Sequence, residues 1–480
     1  SITNIKNYHK TYYVPNNMAI CLSGDFDPDE MVGILEKYFG QMQPNKNLPE
    51  HDFTTKSIIE SVLEKDVYGL EAENIMIGWK YPGAGSRDAM IAEIASSILY
   101  NGSAGLIDLN VNQKQTTLGA FGMPYTRPDA GEFLLMGNPK AGQTLEEVRD
   151  ILIAETEKLR NGDFDEALLT GTINNLKLGM MNLMEENSGR ADLYVQSFIN
   201  GTDWKDEVAY IENMSKVTKE DVVDWAERYL GSDNCAIVYK RQGEDKSVQK
   251  VSAPKITPIK SNRDAQSDFL AEIQNTEVAP IEPVFVDYDK DMSRFQAEGL
   301  DVLYAKNKIN DIAFISYTFD AGTETDPALN LAFDYLSYLG TDKMSAEEIA
   351  EKMYQLACSF NLRAGSLATG INVRGLSENL ETAMDIVEEL VYNAVADEQI
   401  LANLKSDMLK SRNDAKHSQS SCFNALQRYV MYGPEYIRKT TLTNEELSAL
   451  TSEVLLEKVR DLMTYSHEVL YYGPASEKQV

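Results

Sequence analysis

This sequence predicts an α+β fold made of repeated homologous domains, each a mainly antiparallel sheet covered by helices. Three observations predict it. Val217–Tyr239, VTKEDVVDWAERYLGSDNCAIVY, reads as an amphipathic helix, a polar turn and an apolar strand, and Leu450–Tyr472, LTSEVLLEKVRDLMTYSHEVLYY, matches it without gaps 233 residues later. A further copy opens the chain 217 residues earlier, where Ile5 stands for Val222, Tyr12 for Tyr229, Asn17 for Asn234 and Ile20 for Ile237. Periods of this length are whole domains and not solenoid repeats. Between copies the same grammar recurs: strand, helix, hairpin, two long helices, then the closing helix, turn and strand.

The first copy continues into an amphipathic helix over Pro28–Phe39 and a polar connection through Pro44 and Pro49. From about Glu60 the spacing predicts a strand at Asn74–Lys80 and a helix at Ser86–Tyr100, stopped by Asn101-Gly102. Gly119–Tyr125 and Glu132–Asn138 read as a hairpin across Pro128-Asp129-Ala130-Gly131. Helices at Thr144–Arg160 and Asp165–Met184 follow. Lys240–Val284 breaks the rhythm. It is charged, holds Pro254, Pro258, Pro280 and Pro283, and has one helical patch near Ser267–Ile273, so it reads as a linker. The grammar then restarts with strands at Gly299–Tyr304 and Asp311–Asp320. A hairpin-like pair at Cys358–Arg363 and Gly370–Arg374 precedes helices at Glu378–Tyr392 and Glu398–Arg412. The expected division is 1–50, the tail of a first unit; 60–240, a second unit; 241–284, a linker; and 285–480, a third unit.

Lys and Arg total 45 against 75 Asp and Glu, a formal charge of −30. Nucleic acid is therefore an unexpected partner, because phosphate binding needs clustered cations. The acidity favours solubility and attracts basic peptides where it lines a cavity. No apolar run approaches a membrane span. The start, Ser-Ile and not Met, reads as processed, cut or a chosen boundary. Cys21, Cys235, Cys358 and Cys422 match no metal-ligand spacing. The four His residues, His9, His51, His417 and His467, have no His partner at such spacing either, so no zinc site is expected from this chain alone.

The stretch Asp320–Ala350, DAGTETDPALNLAFDYLSYLGTDKMSAEEIA, carries the functional question. Asp326 reads as an N-cap with Pro327 at the first helical position. Leu329, Ala332, Phe333, Leu336 and Leu339 form an apolar face, Gly340 ends the helix, and Ser345 with Glu348 makes a capping box for the next. This stretch resembles the zinc-helix region of the pitrilysin/insulinase family of metallopeptidases (inverzincins). In that family a helix carries HxxEH just ahead of GT; the two His bind zinc and the Glu activates water. Counted back from Gly340-Thr341, the slots fall on Leu331, Asp334 and Tyr335, and the family's third ligand falls near Ser411 or Arg412, with Asp414 the nearest acid. The resemblance thus implies a degenerate zinc site, with no catalytic and no metal residue in this chain.

The ordered combination of three repeats, linker and LGTDKMSAEEI extends the resemblance over the whole chain. It implies LuxS/processing-peptidase-like units, four to a full-length enzyme, in two halves that close around a peptide. This chain would hold the non-catalytic central part of a zinc-dependent metalloendopeptidase, with zinc and the catalytic Glu in a unit outside it. The alternative is a catalytically inactive partner or structural subunit of a heterodimeric processing-type peptidase. The implied partners are a peptide substrate and either the first and fourth units or a catalytic subunit, and a periplasmic setting is favoured over a cytoplasmic one.

Other motifs have plainer readings. His417 and Cys422 in KHSQSSC point to different sides of a helix, which argues against a thiol protease. Asn101-Gly102-Ser103-Ala104-Gly105 lacks the Gly-Lys of a phosphate loop and reads as a helix stop. Leu106–Phe121 falls where the family's fourth unit presents an Arg and a Tyr to the substrate carbonyl. Here those slots hold Asn, Gln, Gly and Phe, so no oxyanion role is expected. The strands at Gly119–Tyr125 and Glu132–Asn138 suit backbone pairing with a peptide, or ordinary core.

Overall fold

The computed structural model describes residues 1–49, 58–247, 251–253, 255, 263, 265–280 and 282–480. His51, Pro254 and Pro258 lie outside the described residues.

Two helices come first, α1 (Ile2–Tyr12) and α2 (Pro28–Phe39), and neither buries a residue. Five strands then form one sheet: β1 (Leu63–Gly69), β2 (Asn74–Pro82), β3 (Gly119–Thr126), β4 (Ala130–Asn138) and β5 (Ala236–Gln242), in the order β1-β5-β2-β4-β3. Only β1 and β5 pair in parallel. Strand β2 alternates buried and half-buried along its length, so Ile75, Ile77, Trp79 and Tyr81 all face the helices. Tyr81 lies opposite Gly131 on β4 in the antiparallel register, and a Cβ at Gly131 would overlap its ring; only glycine leaves room for it. The covering helices are α3 (Arg87–Leu99), α4 (Leu145–Arg160), α5 (Glu166–Glu185), α6 (Asn187–Asn200), the short α7 (Trp204–Val208) and α8 (Tyr210–Met214), and α9 (Lys219–Tyr229). Trp225 of α9 packs edge-on against Tyr81 and Phe133 at the centre of this core.

After α10 (Asp268–Asn275), six strands make the second sheet: β6 (Ser293–Ala297), β7 (Leu300–Lys306), β8 (Ile312–Phe319), β9 (Cys358–Ala364), β10 (Thr369–Leu376) and β11 (His467–Gly473). Their order is β6-β7-β11-β8-β10-β9. Apart from the extra edge strand β6, this is the first sheet repeated: β7 for β1, β11 for β5, β8 for β2, β10 for β4 and β9 for β3. The parallel pair recurs at the same place, β7 with β11. Its helices are α11 (Leu329–Leu336), α12 (Ala346–Gln355), α13 (Leu380–Asn393), α14 (Glu398–Ala415), α15 (Gln419–Thr440), α16 (Asn444–Ala449) and α17 (Ser452–Leu462). Each sheet has its own apolar core. The fold is thus α+β with repeated units, each a mainly antiparallel sheet under helices.

The three copies of the closing helix coincide residue for residue. Helices α1, α9 and α17 are each 11 residues long, and each starts behind a Ser or Thr whose hydroxyl caps the first turn: Ser1, Thr218 and Thr451. The strand that follows differs. Met18 is extended, with φ −134° and ψ 149°, but residues 18–23 form no strand ladder among the described residues.

The helix expected to open at Asp326-Pro327 begins later, at Leu329. The Asp326 carboxylate is spent on the Ala328 amide at 2.9 Å and on Lys458 of α17, so it closes a turn instead of capping. Gly340 does not stop a continuous helix either. One irregular turn after Leu336 intervenes, and glycine is needed because a Cβ would lie 2.5 Å from the Met344 carbonyl. The capping box of Ser345 and Glu348 is present.

Candidate functional site

Helix α11, which carries the expected slots Leu331, Asp334 and Tyr335, is the next helix after β8. Its sequence, LNLAFDYL, has apolar residues on nearly every side, so six of its eight residues are buried. Leu331 is 1% exposed and belongs to the core. Tyr335 is fully buried, and its hydroxyl ties three elements together. It sits 3.0 Å from the Asp397 carbonyl and 2.9 Å from the Ser452 hydroxyl, and it accepts the Asp397 amide at 2.7 Å. Burial pushes this phenol above its ordinary pKa. Asp334 points outward and is exposed, yet the crowded surroundings of its carboxyl raise its pKa too.

The three slots therefore serve different ends. A leucine side chain has no lone pair, and a buried neutral phenol already bonded to Ser452 and the Asp397 backbone is a poor metal ligand. The position expected for the third ligand gives no help. On α14, Arg412 donates to Asn444 at 2.7 Å, and Asp414 pairs with Lys410 at 2.5 Å. Among the described residues no group of three or more His, Cys, Asp or Glu is placed to hold a metal ion. The donor set does not fit zinc, and no hydrolytic step can be built on it.

The remaining motifs are placed as follows. His9 stacks on Tyr13 with ring centroids 4.6 Å apart. His467 contacts Phe319, and its Nδ1 lies 2.9 Å from the Tyr465 carbonyl. His417 precedes α15, while the exposed Cys422 directs its thiol at the Ala415 and Lys416 carbonyls. All four cysteines are free. The Gly-rich loop wraps a carboxylate of its own: Asp108 Oδ2 accepts the amides of Asn101, Gly102 and Gly105 at 2.9, 3.1 and 3.0 Å. It is a filled anion cradle, and a Cβ at Gly105 would crowd that same oxygen at 2.8 Å.

Sequence reasoning missed the cleft between the two units. Lys140 after β4 pairs with Asp407 of α14 at 2.9 Å, and Asn403 of α14 donates to Gln115 at 3.0 Å. Gln115 holds a left-handed φ of 50°, rare for a non-glycine residue. A cleft of about 300 Å³ opens beside them, with Asn112, Thr117, Tyr338 and Asp407 in its wall. Deeper along the same interface, Tyr354 of α12 donates to Thr172 of α5 at 3.2 Å and its carbonyl accepts Asn175 at 2.9 Å. These partners are 179 to 288 residues apart, and no local pattern announces them.

The repeated α+β units place Leu331, Asp334 and Tyr335 on a helix that is mostly core. Residues 1–176 match the family model described as the peptidase M16 inactive domain. The zinc protease PqqE of Helicobacter pylori is 26% identical over 219 residues, covering 43% of this chain and 48% of that protein. In the crystal structure of pitrilysin the same fold covers 99% of this chain and 53% of that one, at 16% identity and a TM-score of 0.50. A protease from Helicobacter pylori matches 50% of this chain and 59% of its own at 20% identity, with a TM-score of 0.48. The chain is similar to M16, or pitrilysin/insulinase, peptidases, its residues 1–176 to their inactive domain, and it spans about half the length of the proteins it matches.

Proposed function

We propose that this chain is the non-catalytic central part of a zinc-dependent metalloendopeptidase that degrades peptides in a chamber. It supplies chamber wall and the connection between halves, while zinc and the water-activating carboxylate come from a unit carrying HxxEH. The observation that carries this reading is Tyr335. At a ligand slot the chain has a side chain committed to Ser452 and Asp397, so the position serves packing. The net charge of −30 suits a wall that attracts basic peptides.

The test compares the chain alone with the chain joined to the HxxEH polypeptide of its source organism, using a library of unstructured peptides. Hydrolysis only in the combined sample, abolished by removing zinc, supports the proposal. Hydrolysis by the chain alone, scaling with bound zinc, overturns it. If HxxEH is encoded on a separate reading frame, the same result assigns the chain as an inactive partner subunit.

A further inference from the structure

The two sheet units fill one place under the sheet differently. In the first, Ile77 of β2 pairs with Ile237 of β5, and in the second, Tyr317 of β8 pairs with Val469 of β11. Ile237 and Val469 are each the first buried residue of their unit's last strand, so the two ladders correspond there. Two residues further along β2 and β8 stand Trp79 and Phe319, both 1% exposed. The Trp79 indole reaches past the end of α9 and donates its Nε1–H to the Gly231 carbonyl at 2.8 Å. The smaller Phe319 ring lies against His467, with ring centroids 4.7 Å apart. Beside it the second unit keeps a cavity of about 250 Å³ between the sheet, α13 and the end of α17. Ile371, Val373, Val387, Val391 and Met463 join Phe319 in its wall, and every one of them belongs to the second unit's own core or packs against it.

The rim gives this apolar space a polar end. Tyr317 donates to the Glu388 carboxylate at 3.3 Å. Burial, with that charge beside it, pushes the Tyr317 phenol up to about 12, so it stays a neutral donor. His467 turns its Nδ1 to the Tyr465 carbonyl at 2.9 Å. Among the described residues no Lys or Arg pairs with Glu388, although the next residue, Glu389, holds Lys343 at 2.8 Å. An exposed carboxylate without a cation therefore stands at the mouth of the cavity. Apolar cavities of about 150 Å³ already take up benzene, so this one has room for a ring and a short chain. We infer that the cavity is a binding site for an aromatic primary amine. The ring packs on Phe319, in space that the first unit gives to its own indole, and the ammonium donates to Glu388 at the rim. An ammonium two carbons from an aromatic ring is found both in free aromatic amines and at the amino terminus of a peptide that begins with an aromatic residue.

The test titrates tryptamine into the intact chain by calorimetry, and one site per chain is expected. Glu388→Gln should weaken binding by about 10-fold or more, because a hydrogen bond to a charged group is lost. Phe319→Trp, which gives the second unit the first unit's side chain, should fill the space and abolish binding. Circular dichroism checks that each variant is folded, and the exposed Glu388 keeps the test decisive if the larger core side chain is not accepted. Indole propionate, with the same ring and the opposite charge, should not bind. A short peptide beginning with Trp and its N-acetylated form separate the two sources. Binding of the free peptide and not the acetylated one assigns the site to a peptide amino terminus, and binding of tryptamine alone assigns it to a free amine; both uphold the inference. No saturable binding of tryptamine overturns it. So does indole propionate binding as tightly as tryptamine, or an affinity untouched by Glu388→Gln and by a folded Phe319→Trp. Each of these leaves the proposed function standing, since that reading rests on α11.

Discussion

Replacing Tyr335 with phenylalanine tests the site reading with one atom. The ring stays in the core between α11, α14 and α17, so no cavity opens; only the hydroxyl goes. Its loss strands the Ser452 hydroxyl, which is fully buried, and the Asp397 amide just ahead of α14. Leaving a buried polar partner unmet costs about 1–3 kcal/mol, which for a unit of this size lowers the melting temperature by roughly 2–12 °C. The molecule provides a convenient division of signals. Its three tryptophans, Trp79, Trp204 and Trp225, all lie in the first of the two sheet units. Tryptophan fluorescence therefore reports that unit, and amide exchange across 293–473 reports the second. The expectation is faster exchange in α11, α14 and α17, with the fluorescence transition in place and zinc content unaltered. An unchanged exchange pattern, or zinc present in the parent and lost in the variant, refutes the reasoning.

Further outcomes follow from the same structure. Asp108→Ala empties the cradle of Asn101, Gly102 and Gly105 and should destabilise the first unit by about 2–4 kcal/mol, read by tryptophan fluorescence in denaturant. Burial raises the Glu93 carboxyl above its ordinary 4.5, only partly offset by the bond from Tyr210. A raised carboxyl favours the fold while protonated, so its contribution is full below 4.5 and is lost as pH rises through the shifted value. Glu93→Gln should flatten that decline, and a parent whose first unit gains stability across the same window would contradict it. The Lys140–Asp407 pair spans the units half-buried, and a double-mutant cycle should give a coupling of about 1 kcal/mol; zero coupling would show the contact contributes nothing.

What was legible in the sequence is what local periodicity controls. The closing helices follow from Ser or Thr caps and apolar spacing, and the hairpin of β3 and β4 from Pro128–Gly131. Strand β1 escaped because LEKDVYG lacks alternation; six of its seven residues are exposed, and it is held by β5. Helix α15 escaped because Gly433-Pro434 reads as a break. The chain instead kinks there, Gly433 taking φ 77° and ψ 169°, and continues to Thr440. The residue types at Leu331, Asp334 and Tyr335 were legible, but the reason Tyr335 suits its place was not, since Ser452 lies 117 residues away. The inter-unit cleft is wholly non-local and had no sequence signal.

The central claim is that α11 is built as core and not as a metal-binding helix. The most direct measurement is elemental analysis of the intact chain after equilibration with zinc and removal of free metal. The account predicts far less than one zinc per chain, unaffected by Asp334→Ala. One tightly held zinc per chain, lost on Asp334→Ala or Tyr335→Phe, would contradict it.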